Sequence, residues 1–511
     1  MFKKRCFALS LVLVSLLFSF SFGQKGSGAA GKGKPLDSFK GMEKDITEYT
    51  LPNGLKFIIL ERHEAPVVSF CTYANVGSNN EVTGITGISH IFEHMAFKGT
   101  TDIGTKDYEN EKIVMAKEDS LFEEILEEKD KGDRADQEKL KKLQDEFSKT
   151  QDEAGKYIVS NQFGAIVEEA GGVGLNAFTS DDQTCYIYSF PSNKLELWMA
   201  LESDRFVHPV LREFYKEKDV IMEERRLGIE SSPFGKLFEE FMAAAFKAHP
   251  YDHEVLGHMS DLQSISRHQA QDYYKKYYIP NNLTIGIVGD VNPKEVIAFA
   301  QEYFGSIPRG EYPSPVRTVE PPQLGEKRIE VEDKSQPILL IGYHRPNVTN
   351  PEDPAFAAIA DYLGGGRTSR LYKILVKEKK IAVQVGSIPA FPAEKYPTLI
   401  AFYAVPSKDH SNQECEDIIY QEIEKIKTDP ISAEDLNAIK TRAKANFIRQ
   451  LKSNMGMGIQ LTSYQVISGD WRNLFKELDR INSLTPSDIQ KAANEYLKKT
   501  NRTVGEIATT K

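Results

Sequence analysis

The sequence predicts two related α+β domains, on three observations. The chain has 511 residues, more than one compact core accommodates. Strand-like runs are grouped with runs of helical periodicity on both sides of IPRGEYPSPVRTVEPPQLGEK, whose proline and glycine content marks a boundary. The two sides also carry a weak repeat. ISHIFEHMAFKG lies over FAAIADYLGGGR, so that His90 faces Ala358, Glu93 faces Asp361 and His94 faces Tyr362. One half would keep its histidines and the other would have lost them.

Taken in order, Lys3, Lys4 and Arg5 precede an apolar run from Phe7 to Phe22, and Ser21 and Gly23 supply the small residues a signal peptidase reads. Residues 1–23 are therefore expected to be a signal peptide, and the run is short for a membrane span. Residues 24–45 form a leader, Gly- and Lys-rich at its start, and ordered structure is expected from Ile46. Asn53-Gly54 signals a hairpin between TEYTL and LKFIIL; APVVSFCTYANV reads as a strand and ISHIFEHMAF as an amphipathic helix. Residues from about 106 to 162 alternate in charge with sparse apolar positions, the pattern of a helical hairpin broken near Gly132 and of a solvated structural arm. GLNAFTSDDQTCYIYSF returns to strand character, LELWMALESDRFV and EFYKEKDVIMEERRLGI read as helices, NNLTIGIVGDV as a strand and PKEVIAFAQEYF as a helix. The first domain is placed at 46–305, the linker at 306–325 and the second domain at 326–511. The second repeats the plan, with strands at RIEVE, PILLIGYH, VQVGSI and TLIAFYAV, a helix at AFAAIADYL and several helices to finish.

The formal net charge of -10 argues against a nucleic-acid binder, which needs a basic face. Once the signal peptide is gone, Cys71, Cys185 and Cys415 remain; three widely spaced cysteines make neither a disulfide framework nor a C-x-x-C metal site. An exported chain with few cysteines fits a bacterial periplasm or secretion, with no membrane span after cleavage.

The chemistry is concentrated in His90-Ile91-Phe92-Glu93-His94. Residues four apart on a helix project to one side, so both imidazoles form half of a metal site, and Glu93 borders the same face. This is the inverted form of H-E-x-x-H. The same spacing also arises on ordinary surface helices. A third ligand is sought in EKDVIMEERR, where Glu217 and Glu224 lie two helical turns apart on one face while Glu223 points elsewhere. Glu224 is the candidate ligand and Glu217 a supporting acid one layer out; alone, these acids also read as a solvated face beside Arg225 and Arg226. His253, Glu254 and His258 are one residue too far apart to share a helical face and read as loop residues. Gly364-Gly365-Gly366 lacks the Lys-Ser/Thr of a phosphate loop and reads as a helix-ending turn.

GISHIFEHMAFKGT, GVGLNAFTSDDQTCYIY and EKDVIMEE, in this order, resemble the pitrilysin/insulinase family of inverzincin metallopeptidases, as do HPYDHEVLG, NNLTIGIVGDV and LGGGRTSRLY. The resemblance runs over nearly all of the chain from Ile46 and is nearest in size to the two-domain bacterial members and the mitochondrial processing peptidase subunits. It implies one zinc ion per chain on His90, His94 and Glu224, Glu93 as general base, Glu217 one layer out, and an inactive homologous second domain. Manganese or cobalt also suits such a ligand set. It further implies that Asn176, Ala177, Phe178 and Thr179 lie on an edge strand that a peptide extends, although an ordinary core strand gives the same alternation. Two departures stand out. The stretch from His94 to Glu224 is wider than the family's usual gap, which the charged insert explains. An Arg and a Tyr that grip substrate in active relatives are replaced, in LVKEKKIAVQV, by Val376 and Val383. The resemblance therefore implies a zinc endopeptidase of peptides or unfolded segments, forming half of a clamshell and completed by a homologous partner subunit that supplies the pair. The competing readings are a non-catalytic structural subunit and a periplasmic peptide-binding module of the same fold.

Overall fold

The computed structural model describes residues 41–510; the expected signal peptide and most of the leader lie outside the described residues. The chain enters through β1 (Ile46–Thr50) and β2 (Lys56–Glu61), the antiparallel hairpin predicted around Asn53-Gly54. Then follow β3 (Val67–Ala74), α1 (Ile88–Met95), α2 (Tyr108–Lys129), α3 (Gln137–Ala154), α4 (Gln162–Glu169), β4 (Val173–Thr179), β5 (Thr184–Pro191), α5 (Leu195–Val207) and α6 (Phe214–Arg225). The first half ends with α7 (Pro233–Ala245), α8 (Met259–Ser264), α9 (Arg267–Tyr277), β6 (Leu283–Gly289) and α10 (Pro293–Phe304). Across the Pro-rich segment come β7 (Lys327–Asp333), β8 (Ile338–Arg345), α11 (Asp353–Gly364), β9 (Ala382–Phe391) and β10 (Thr398–Pro406). The chain finishes with α12 (Asn412–Thr428), α13 (Ala433–Gln450), α14 (Asn454–Ser468), α15 (Asn473–Ser483), α16 (Pro486–Tyr496) and β11 (Arg502–Thr509).

Among the described residues the strands form two sheets, a six-stranded one in the order β1-β2-β6-β3-β5-β4 and a five-stranded one in the order β7-β11-β8-β10-β9. With β1 set aside, the two orders are the same when each half is counted from its own start. The hand of pairing matches too: β2–β6 and β7–β11 are parallel, and every other neighbouring pair is antiparallel. The halves are therefore two copies of one α+β plan, as the weak repeat predicts. The last strand, β11, is a correction to the sequence reading, which ended the chain in helices. TNRTVGEIAT follows the pattern of NNLTIGIVG, and that likeness was the available signal.

Each sheet is covered on both faces, which is why β6 is buried at every position. Under the first sheet, Phe70 stacks on Trp198 of α5 at 4.2 Å between ring centroids, in a core that includes Phe57 and Phe304. The other face is closed from the second half: Met457 and Leu461 of α14 pack with Ile58, Leu60 and Val288. In return Leu237 and Phe241 of α7 pack beneath the second sheet with Leu340, Leu399 and Ile507.

The charged segment is a helical hairpin, α2 and α3, broken at Gly132–Arg134 as expected. Asp107 and Asp136 cap the two helices by accepting from the N–H groups of Asn110 and of Glu138 and Lys139. Its root is tied down by buried arginines. Arg212 donates to Glu111 and to the carbonyls of Lys98, Thr100 and Ile103, while Arg267 pairs with Glu118 and Asp119. Among the described residues no helix is long and apolar enough to cross a membrane.

Candidate metal centre

The H-x-x-E-H segment forms α1, and its start is held by polar contacts from three residues, Glu81, Asp261 and Tyr273. Glu81 is fully buried and accepts from the N–H groups of Gly87 and Ser89 at 2.7 and 2.8 Å, capping the helix. Thr86 is fixed by Asp261, and the Ser89 hydroxyl meets that of Tyr273 at 2.7 Å. Gly87 has φ +90°, and a Cβ there would lie 2.6 Å from the Leu256 carbonyl, so the turn into the helix requires glycine. His253, which the spacing assigns to a loop, is buried in that loop with Nε2 3.5 Å from Glu81. Burial opposes its charge, but Asp252 and Glu81 push its pKa up to about 10, so it holds the capping carboxylate as an imidazolium.

From this fixed start the two imidazoles project together, with ring centroids 4.8 Å apart. Glu224, near the end of α6, meets them: its Oε2 is 3.7 Å from His94 Nε2 and 4.0 Å from His90 Nε2. Among the described residues, these three make a group whose possible ligand atoms all lie within 4.8 Å of one another. Ligand atoms about 2.0–2.2 Å from a tetrahedral zinc stand roughly 3.3–3.6 Å apart, so the two contacts of Glu224 fit zinc after small adjustments, while the widest pair of the cluster must close by about 1 Å. Burial holds His90 well below the ordinary imidazole pKa, which keeps it neutral, the form that binds a metal.

Glu217 lies beside His94, on the side of α6 that the two-turn spacing predicts. Glu217 Oε2 is 3.2 Å from His94 Nδ1, leaving Nε2 directed at Glu224. Although burial raises its pKa, His94 and Lys98 bring it below the usual carboxylate value, so Glu217 is charged. Lys98 bridges Glu217 and Glu213. Sequence reasoning missed Lys98 and Glu81. Lys98 follows His94 at helical spacing and was legible on that ground, whereas Glu81 lies outside any periodic pattern. Glu223 faces away and pairs with Arg226.

Glu93 lies beside the cluster, with Oε2 4.0 Å from His90 Nε2. That oxygen is buried without a protein hydrogen-bond partner, and burial raises the pKa of the carboxyl. Helix α1 packs against β4, which carries Asn176, Ala177, Phe178 and Thr179 and stands at the edge of its sheet with β5 as its partner. Asn176 is exposed and Thr179 buried. In the second half, α11 packs against β9, the corresponding edge. There Asp361 binds Arg442 with an Oδ2–Nε distance of 3.0 Å, so an ion pair replaces the cluster. Val376 packs on the second core and Val383 is exposed on β9.

Residues 56–116 and 148–258 match the family model described as Insulinase (Peptidase family M16), and residues 264–443 match the Peptidase M16 inactive domain. The chain belongs to peptidase family M16. The family model passes over residues 117–147, most of the α2–α3 hairpin, so the hairpin is an addition to the M16 plan. The chain is 26% identical over 462 residues to the zinc protease PqqE of Helicobacter pylori, covering 89% of this chain and 90% of that protein. A crystal structure of a protease from Helicobacter pylori superposes with a TM-score of 0.76 at 26% identity, covering 91% of this chain and 99% of that one. The periplasmic protease PqqL of Escherichia coli shares the fold at a TM-score of 0.68 and 17% identity, covering 91% of this chain and 48% of PqqL.

Proposed function

We propose that the chain is a zinc-dependent endopeptidase acting on peptides or unfolded segments. The observation that carries this reading is the convergence of His90 Nε2, His94 Nε2 and Glu224 Oε2 beside an unpartnered buried carboxylate oxygen of Glu93 and an open sheet edge. Membership of a peptidase family and likeness to a named zinc protease support it.

His90, His94 and Glu224 hold the metal, one ion per chain. Bound zinc supplies Lewis acidity toward a water and toward the scissile carbonyl. Glu93 takes a proton from the attacking water at its free oxygen and returns it to the leaving amine. Glu217 fixes the His94 ring by accepting from Nδ1–H, and Lys98 fixes Glu217. The β4 edge at Asn176–Thr179 binds an extended peptide through backbone hydrogen bonds, so it selects conformation more than side-chain identity.

Two further points belong to the same proposal. The chain is exported, to a periplasm or out of the cell, after removal of residues 1–23. With valines at 376 and 383, it is the metal-bearing half of a two-subunit clamshell, whose homologous partner supplies the Arg and Tyr. The test is cleavage of a quenched extended peptide by purified residues 24–511, first with chelator and then with zinc restored. Cleavage that is lost to chelator and regained with zinc supports a metallopeptidase; cleavage indifferent to chelator rules it out. Active enzyme that sediments as a monomer without a companion chain excludes the two-subunit arrangement.

A further inference from the structure

Away from the metal cluster two cysteines meet. Cys71 of β3 and Cys185 of β5 are 114 residues apart in sequence, yet their Sγ atoms are 3.0 Å apart and both residues are fully buried. They occupy diagonal places on one antiparallel ladder, where Cys71 faces Ile187 and Tyr73 faces Cys185. Phe178, Ile187, Ile459 and Val466 enclose them. The remaining cysteine among the described residues, Cys415, lies in the second core with its Sγ 3.8 Å from the Ile381 carbonyl. A disulfide bond is about 2.0 Å long, so closing the pair brings the two sulfurs about 1 Å nearer.

We infer that Cys71 and Cys185 form a disulfide when the chain folds in an oxidising setting. The two thiols give up their protons, the sulfurs join, and two electrons pass to a disulfide oxidant, a protein or glutathione disulfide, that leaves as its dithiol or thiols. The bond ties β3 to β5, and β5 is the strand on which β4, the proposed substrate edge, is built. It also lies directly beneath α14, where Cys71 Sγ is 3.3 Å from the Thr462 hydroxyl. Its position dictates when it forms. Exchange needs an accessible thiolate, and in the finished fold both sulfurs are sealed and burial keeps the Cys185 thiol protonated. The bond is therefore made before α14 closes over the sheet, and the folded dithiol form resists later oxidation. Export is the natural setting, but the reactivity of the pair does not depend on it or on the metal.

The test is to produce residues 24–511 in a reducing and in an oxidising bacterial cytoplasm, alkylate each product in denaturant, digest without reductant and weigh the peptides. The expected result is a linked Cys71–Cys185 peptide from the oxidising host alone, with Cys415 alkylated in both. The linked protein should melt about 5 °C above the thiol form, a gain that Cys71→Ser and Cys185→Ala each abolish. Folded thiol protein given glutathione disulfide should stay unlinked. Full alkylation of Cys71 and Cys185 in folded protein from the oxidising host overturns the inference, as does a link from either to Cys415.

Discussion

At the scale of single residues, the candidate site is a set of side chains whose protonation is arranged by burial and by charged neighbours. Glu93 is the sharpest instance. Its carboxylate is close to the cluster but is not one of the three converging ligand groups, so Glu93→Gln should keep metal binding, read by metal analysis after dialysis. The same change should lower peptide turnover by at least ~100-fold, the usual worth of a positioned base; substantial residual turnover would remove Glu93 from that role. Asp181, in the turn between β4 and β5, gives a separate pH prediction. It is buried, and burial together with Asp182 raises its pKa from 3.8 to about 7. Between those values the folded state binds more protons than the unfolded state, so stability is greatest at the acid end and falls as pH rises toward 7. Asp181→Asn mimics the protonated acid, and its Tm should be flatter over that range than that of the parent. An equal slope in both proteins would count against this account. The motif residues His90, His94, Glu217 and Glu224 were legible because helical geometry converts spacing directly into direction. The meeting of Cys71 with Cys185, and of Glu81 with His253, was not legible, because both depend on which strands and loops become neighbours.

At the scale of elements, the α2–α3 hairpin shows how an addition is fitted to an existing plan. Its charge pattern and its break at Gly132 were readable, since alternating charge on sparse apolar positions describes a two-helix arm. What holds the arm was not readable. Arg212 is buried against Glu111 at the root of α2 and also donates to three carbonyls in the loop that leaves α1. The arm and that loop therefore share one anchor. Arg212→Ala strands the Glu111 carboxylate in a buried place and removes the carbonyls' partner together. It should cost about 3–5 kcal/mol, read from the shift in denaturant midpoint. Arg212→Ala paired with Glu111→Ala should recover part of that loss, because the stranded charge is gone. A double variant no more stable than Arg212→Ala would show that the carbonyl contacts, and not the ion pair, set the cost.

At the scale of the whole molecule, the two halves are joined by an exchange. Each sends a helix under the other's sheet, α14 beneath the first and α7 beneath the second. The equivalent strands β6 and β11 each carry a glycine at the same place, Gly286 and Gly505, facing the visiting helix. A Cβ on Gly286 would lie 2.9 Å from Thr462 Cγ2 and 3.1 Å from the Gly458 carbonyl of α14; one on Gly505 would lie 2.9 Å from Phe241 of α7. The duplication thus includes the socket for the exchanged helix, which explains why TIGIV and TVGEI share their glycine. Because neither sheet is covered without the other half, the halves should not unfold separately, and calorimetry of the full chain should show one transition. Gly286→Val drives side-chain atoms into α14, a shortfall of space that costs roughly 1–3 kcal/mol, or about 1–3 °C of Tm for a unit of this size. Gly458→Ala is the informative counterpart. Its Cβ would meet Cys71 and Val288 no closer than 3.7 Å, an ordinary contact, and alanine is favoured over glycine inside a helix by about 1 kcal/mol. Gly286→Val should therefore lower the single transition while Gly458→Ala leaves it in place or raises it. If Gly286→Val instead split the transition in two, the halves would be independently stable, and the exchanged helices would not be what binds them into one folding unit.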